Sequence, residues 1–63
     1  MRIDRIKLAT ELARRDMTQS KLAEIIGVSR TTINNIRAGK SCTDEIGRKI
    51  AKALNVDIAE IIE

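Results

Sequence analysis

The residues best equipped for chemistry are crowded into Arg30–Ser41, RTTINNIRAGKS. The chemistry they suit is non-covalent recognition rather than catalysis. At about 100° per residue on a helix, Ile33 and Ile36 fall on one side and point to a core. Thr31 and Ala38 lie directly opposite, flanked by Asn34 and Asn35, with Arg30 and Arg37 nearer the edges. A helix that merely faces solvent usually carries Glu and Lys in quantity. This one carries amides, hydroxyls and small residues, and no acid occurs between Ile25 and Thr43. Such side chains match base edges: Arg pairs bidentately with guanine, Asn with adenine, and a Thr methyl meets a thymine methyl. Arg30, Thr31, Asn34 and Asn35 are therefore the expected base-reading residues.

A face of this kind needs a rigid neighbour to aim it. Thr18 is an N-cap type, its hydroxyl suited to accept from an orphan N–H of a first helical turn. Leu22, Ala23 and Ile26 follow at helical spacing, with Ile25 at the margin of that stripe. Gly27 stands where a helix commonly ends in a left-handed residue, and Ser29 is the next N-cap type. Two capped helices joined through Gly27, Val28 and Ser29 make a helix-turn-helix pattern, whose turn often contains glycine. Ala38 and Gly39 would let the end of the second helix approach another surface closely.

The order Thr18-Gln19, Leu22-Ala23, Gly27-Val28-Ser29, Thr32-Ile33 and Gly39-Lys40 resembles the lambda-repressor-like (Cro/repressor, xenobiotic-response-element) family of DNA-binding domains. The likeness runs on through Ala51-Lys52-Ala53-Leu54-Asn55-Val56 and covers nearly the whole chain. It implies an all-α, five-helix fold whose third helix enters the major groove of duplex DNA. Arg30, Thr31 and Asn35 match the family's base-reading positions most closely. Gln19 matches a residue that hydrogen-bonds a phosphate, a role that the free N–H groups of a helix start reinforce. Lys40 and Ser41 match positions that touch the DNA backbone, Lys21 would assist electrostatically, and Thr32 serves in either role. The family commonly pairs an Arg of helix one with a Glu near the end of helix three. Leu12 and Arg37 occupy those positions here, so the pair is absent, Leu12 is expected to pack, and Arg37 is freed for a phosphate.

Composition sets outer bounds. The 63 residues leave room for one domain, 1–63, with one small core. With no His and only Cys42 there is neither a zinc framework nor an internal disulfide. No paired carboxylates in a pocket-sized context and no phosphate-binding glycine loop support an enzyme, and no cofactor or small-molecule ligand is inferred. Twelve Lys and Arg against nine Asp and Glu give a net charge of +3, mildly favourable to a polyanion. No apolar run reaches membrane-spanning length and the N-terminus lacks that of a signal peptide, so a cytoplasmic, nucleoid-associated protein is expected.

The flanking stretches supply the core. A first helix is expected over Met1–Arg15, with Ile6, Leu8, Ala9, Leu12 and Ala13 as its apolar stripe and Met17 packed under the following turn. Arg2, Arg5 and Lys7 read as solvated charge. Cys42, where proline is common in the family, reads as a small packing residue. Thr43 caps a fourth helix carrying Ile46, Ile50 and Leu54, with Ala51 and Ala53 beside them, and Asn55 ends it. Gly47 weakens that helix by about 1 kcal/mol against Ala unless close packing demands it. Asp57-Ile58-Ala59-Glu60 resembles a capping box opening a fifth helix, Ile58–Ile62, packed on helix one.

The combined expectation is a transcriptional regulator, a repressor before an activator, bound as a homodimer to a pseudo-palindromic operator. An antitoxin-like module that holds a partner protein is the competing reading, and an exposed apolar fifth helix would favour it.

Overall fold

Four polar side chains decide where the helices begin. The computed structural model describes residues 1–63 and places α1 at Arg5–Arg14, α2 at Gln19–Ile26, α3 at Arg30–Arg37 and α4 at Asp44–Leu54. Thr18, Ser29 and Thr43 each accept from the backbone N–H three residues on, at 3.0, 3.2 and 3.2 Å. Asp4 does the same for α1, accepting from the Ile6 and Lys7 N–H groups at 2.9 and 3.0 Å. Each bond satisfies a donor that a helix start otherwise leaves free. The Lys7 N–H holds the Asp4 carboxyl below its ordinary range, helped by the Ile6 N–H and the charges of Lys7 and Arg5, against an opposing effect of desolvation. A depressed carboxylate pKa contributes stability above the unfolded-state value that is lost as pH falls through the folded one. Asp4→Asn keeps the cap but not the charge, so its thermal midpoint should fall less steeply on acidification than that of the wild type. Equal acid slopes in the two proteins would contradict this.

The core is built from Ile, Leu and Ala alone. Leu8 and Leu12 of α1, Leu22 and Ala23 of α2, Ile33 and Ile36 of α3, and Ile50, Ala51 and Leu54 of α4 meet with Ile3 and Ile61. Leu12 is 4% exposed, packed as expected. Met17 is half-buried against the same cluster. α2 turns into α3 through Gly27, which adopts φ 76°, a value glycine takes without strain.

Two elements differ from expectation, for one reason. The first helix starts at Arg5 and not Met1, and the fifth helix is replaced by a single 3-10 turn, Ile58–Glu60, so the chain has four α-helices. Asp57 and Glu60 do form the reciprocal capping box. The helix does not propagate because the residues after it pair with the N-terminal segment. Ile3 bridges Ile62, the Asp4 N–H donates to Ile61 O at 2.7 Å, and the Glu63 N–H donates to Arg2 O at 3.2 Å. Three residues of helix offer too few bonds to compete with that two-ended tie. Ile6 and Ala13 also depart from the expected stripe, both being exposed. Ile6 is 73% exposed, because it lies across the helix from Leu8 and Leu12, the side that α1 buries.

Candidate nucleic-acid interface

α3 is held from below by Ile33 and Ile36, both buried, so its opposite side stands clear. Thr31 and Ala38 form the crest of that side, and both are exposed. Two shallow hollows flank it. On one flank Arg30 and Asn34 meet Thr18, Gln19 and Ser20 at the start of α2. On the other, Thr32 and Asn35 meet Lys40, Ser41, Cys42 and Thr43 of the loop after α3. The fold thus gathers eight of the ten sequence-predicted residues around one exposed helix: Arg30, Thr31, Asn34, Asn35, Gln19, Thr32, Lys40 and Ser41.

Their bonding state suits recognition of an outside partner. Arg30, Thr31, Asn34 and Asn35 are exposed. The Thr32 hydroxyl is already engaged, 2.9 Å from the Ser29 hydroxyl within the α3 cap. Gln19 is half-buried, and its Oε1 is enclosed without a hydrogen-bond partner. The loop is shaped by Gly39, at φ 100°, and by the Lys40 N–H donating to Asn35 O at 3.0 Å. Gly39 is one of the few positions here where a side chain would strain the backbone. No acidic side chain occurs on α3 or in the loop up to Thr43. Burial pushes the Cys42 thiol pKa up, opposed by the nearby N-terminal ammonium, so this cysteine stays a neutral packing group at neutral pH.

Two of the ten lie apart. Arg37 is half-buried in a third hollow against α1, beside Arg5, Ile6, Ala9, Thr10 and Ala13, with its Nε unpartnered. Its place one residue after Ile36 and four after Ile33 puts it close to the buried edge of α3. Lys21 is exposed on α2, with its Nζ 4.0 Å from Glu24 Oε1, an outer pair of the sort that contributes little.

Sequence reasoning missed the N-terminal segment. Arg2, expected as plain solvated charge, pairs with Glu63 at 3.4 Å, and its guanidinium lies beside Gly39 of the loop. Met1 exchanges backbone hydrogen bonds with Cys42 in that loop. Three residues of extended chain are too short to leave a periodic signal, so nothing in the pattern announces this contact.

Comparison with known proteins decides the family. The family described as Helix-turn-helix matches residues 8–61. The chain belongs to this lambda-repressor-like helix-turn-helix family. It is 35% identical over 54 residues to Repressor protein C of Rhizobium phage 16-3. That match takes in 86% of this chain and 20% of the relative, so the chain spans about one fifth of that repressor's length. Among solved structures it resembles the transcriptional regulator VanUg, with a TM-score of 0.85 and 32% identity over 98% of this chain and 83% of that one. The family match begins at Leu8, after the N-terminal segment, and includes both flanks of the α3 face.

Proposed function

We propose that the chain binds duplex DNA sequence-specifically and acts as a transcriptional regulator, a repressor by preference. The observation that carries this reading is the α3 face, an exposed run of amide, hydroxyl and guanidinium groups with no acid near it, held on a helix whose other side is locked into the core. Arg30, Thr31, Asn34 and Asn35 read base edges in the major groove. Gln19, Lys40 and Ser41 hold the phosphate backbone on the two flanks and so set register, with Thr32 beside them. Arg37 and Lys21 contribute charge from the periphery. A face one helix wide covers few base pairs, so usable affinity calls for two copies on a pseudo-palindromic site with half-site centres about 10 bp apart. The relatives named as a repressor and a transcriptional regulator support the same assignment. The competing module that holds a partner protein draws less support, since Ile61 of the closing segment is fully buried in the chain's own core.

Selection of bound sequences from a random duplex pool at two salt concentrations tests the reading. An inverted repeat with half-sites one turn apart is expected. Recovery of no motif, with binding lost at moderate salt, would reduce the interaction to backbone attraction. Lys40→Ala separates the two kinds of contact. It should weaken binding to all sequences alike and flatten the slope of log affinity against log salt by about one. A sequence-dependent loss would instead make Lys40 a base reader.

A further inference from the structure

The segment Met1–Asp4 is tied at both ends. At one end Ile3 is buried, bridged to Ile62, and Asp4 is bonded to Ile61. At the other, the Met1 nitrogen donates to Cys42 O at 3.0 Å, and the Cys42 N–H donates to Met1 O at 2.8 Å. Of residues 41–43 in the loop, Cys42 alone finds a backbone acceptor for its N–H, and that acceptor is Met1. The Met1 side chain is fixed in turn by α4. A Cβ added at Gly47 would collide with Met1 Sδ, and would stand 3.4 Å from Cε and 3.5 Å from Cγ. Glycine in a helix interior is unfavourable relative to alanine, yet Gly47 is buried mid-helix. The thioether is what needs the space.

We propose that Met1, seated on Gly47, is a latch that positions the Lys40–Thr43 loop for the DNA backbone. The inference rests on the DNA-binding reading and adds to it a positioning residue outside the α3 face. Without the latch the loop carrying Lys40 and Ser41 has little to hold it, and ordering its several residues on binding costs more conformational entropy than one exposed phosphate contact returns, so that contact is not made. With it, the loop meets phosphate already in place.

A chain of 63 residues can be synthesised chemically, which makes position 1 open to substitution. Wild type, Gly47→Ala, Met1→Ala and the double variant are compared by amide hydrogen exchange at Cys42 and by affinity for a selected operator duplex at about 50 and about 200 mM salt. Gly47→Ala is expected to expel Met1, speed exchange at Cys42 and flatten the salt slope by about 0.9, one phosphate's worth, or about 3.5-fold in the affinity lost across that salt range. Met1→Ala, which removes the anchor without adding an atom to α4, should flatten the slope in the same way and keeps the test open if Gly47→Ala folds poorly. In the double variant the collision is gone and the methyl added to α4 occupies part of the vacated space, so slow exchange and the steeper slope should return. Unchanged exchange at Cys42, or faster exchange with an unchanged salt slope, or no recovery in the double variant, would each overturn the latch while leaving the DNA-binding reading intact. A wild type that selects no duplex would instead overturn that reading, and the latch's role with it.

Discussion

Ile33→Ala is expected to leave the chain largely unfolded at 25 °C. Ile33 is fully buried, and with Ile36 it is the means by which α3 is fastened to the other helices. Truncating a buried Ile or Leu to Ala costs about 2–5 kcal/mol, the upper end where the site cannot collapse. A single core in a chain below about 70 residues rarely supplies more than 3–5 kcal/mol in total. The loss therefore equals most or all of the stability, and here no aromatic side chain and no internal disulfide stands in reserve. Urea titration of the helical circular dichroism should show a collapsed midpoint, against a change within about 0.5 kcal/mol for Ile25→Ala, since Ile25 is 49% exposed. DNA offers a second arm. A ligand that binds only the folded state at about 100 times its Kd adds about 2.7 kcal/mol. A selected operator duplex should then restore much of the helical signal of Ile33→Ala, and random duplex should restore less. A midpoint near that of wild type would mean that α3 is anchored by something other than its buried isoleucines.

That dependence explains which parts of the fold were legible in the sequence. α2, the Gly27 turn and α3 follow from local chemistry: a Thr and a Ser that cap, a glycine in the left-handed region, and isoleucines three apart. Local rules act within a turn or two of chain, so a reading by period and cap finds such elements. The ends of the chain obeyed a contact that no local rule contains. Ile58–Ile62 carries a helical stripe behind a capping box, and Met1–Asp4 runs without a break into a helical stripe that begins at Ile6. Each segment gave up helix to pair with the other across nearly the full length of the sequence. Gly47 is the same lesson at one residue. As sequence it is only a helix-weakening glycine, and its purpose is visible once Met1 is seen lying against it. The candidate site divides likewise. Residues on the outward side of α3 lie where periodicity places them, and Gln19, Lys40 and Ser41, singled out by the family resemblance, sit on its two flanks, whereas Arg37 does not face outward with them. Its long apolar stem can lie along α1, beside Ile6, Ala9 and Ala13, and that packing takes the guanidinium away from the α3 crest.

Asn35→Ala is expected to carry the largest effect on recognition at the least cost to folding. Asn35 is exposed at the flank of α3 that faces Lys40 and Ser41, and its backbone is held where the helix ends. Its carbonyl accepts from the Ala38 and Lys40 N–H groups at 3.1 and 3.0 Å. A fixed backbone with an uncommitted amide is what bidentate reading of an adenine requires, because the donor and acceptor must both arrive in one plane. Losing such a contact costs about 1–3 kcal/mol, or about 5- to 160-fold in Kd, and relaxes preference at one base position. Alanine is the better helix former and a surface site tolerates it, so the thermal midpoint should hold or rise slightly. The control lies across the crest. Asn34→Ala, on the flank that faces Gln19, should relax a different position of the selected site, because one helix lying in a groove cannot bring both flanks to the same base pair. If selected and random duplexes bound Asn35→Ala as they bind the wild type, α3 would not be the reading element. If both asparagine variants lost affinity evenly across all sequences, the α3 amides would be holding backbone, and sequence preference would have to come from Arg30 and Thr31 or from the shape of the duplex itself.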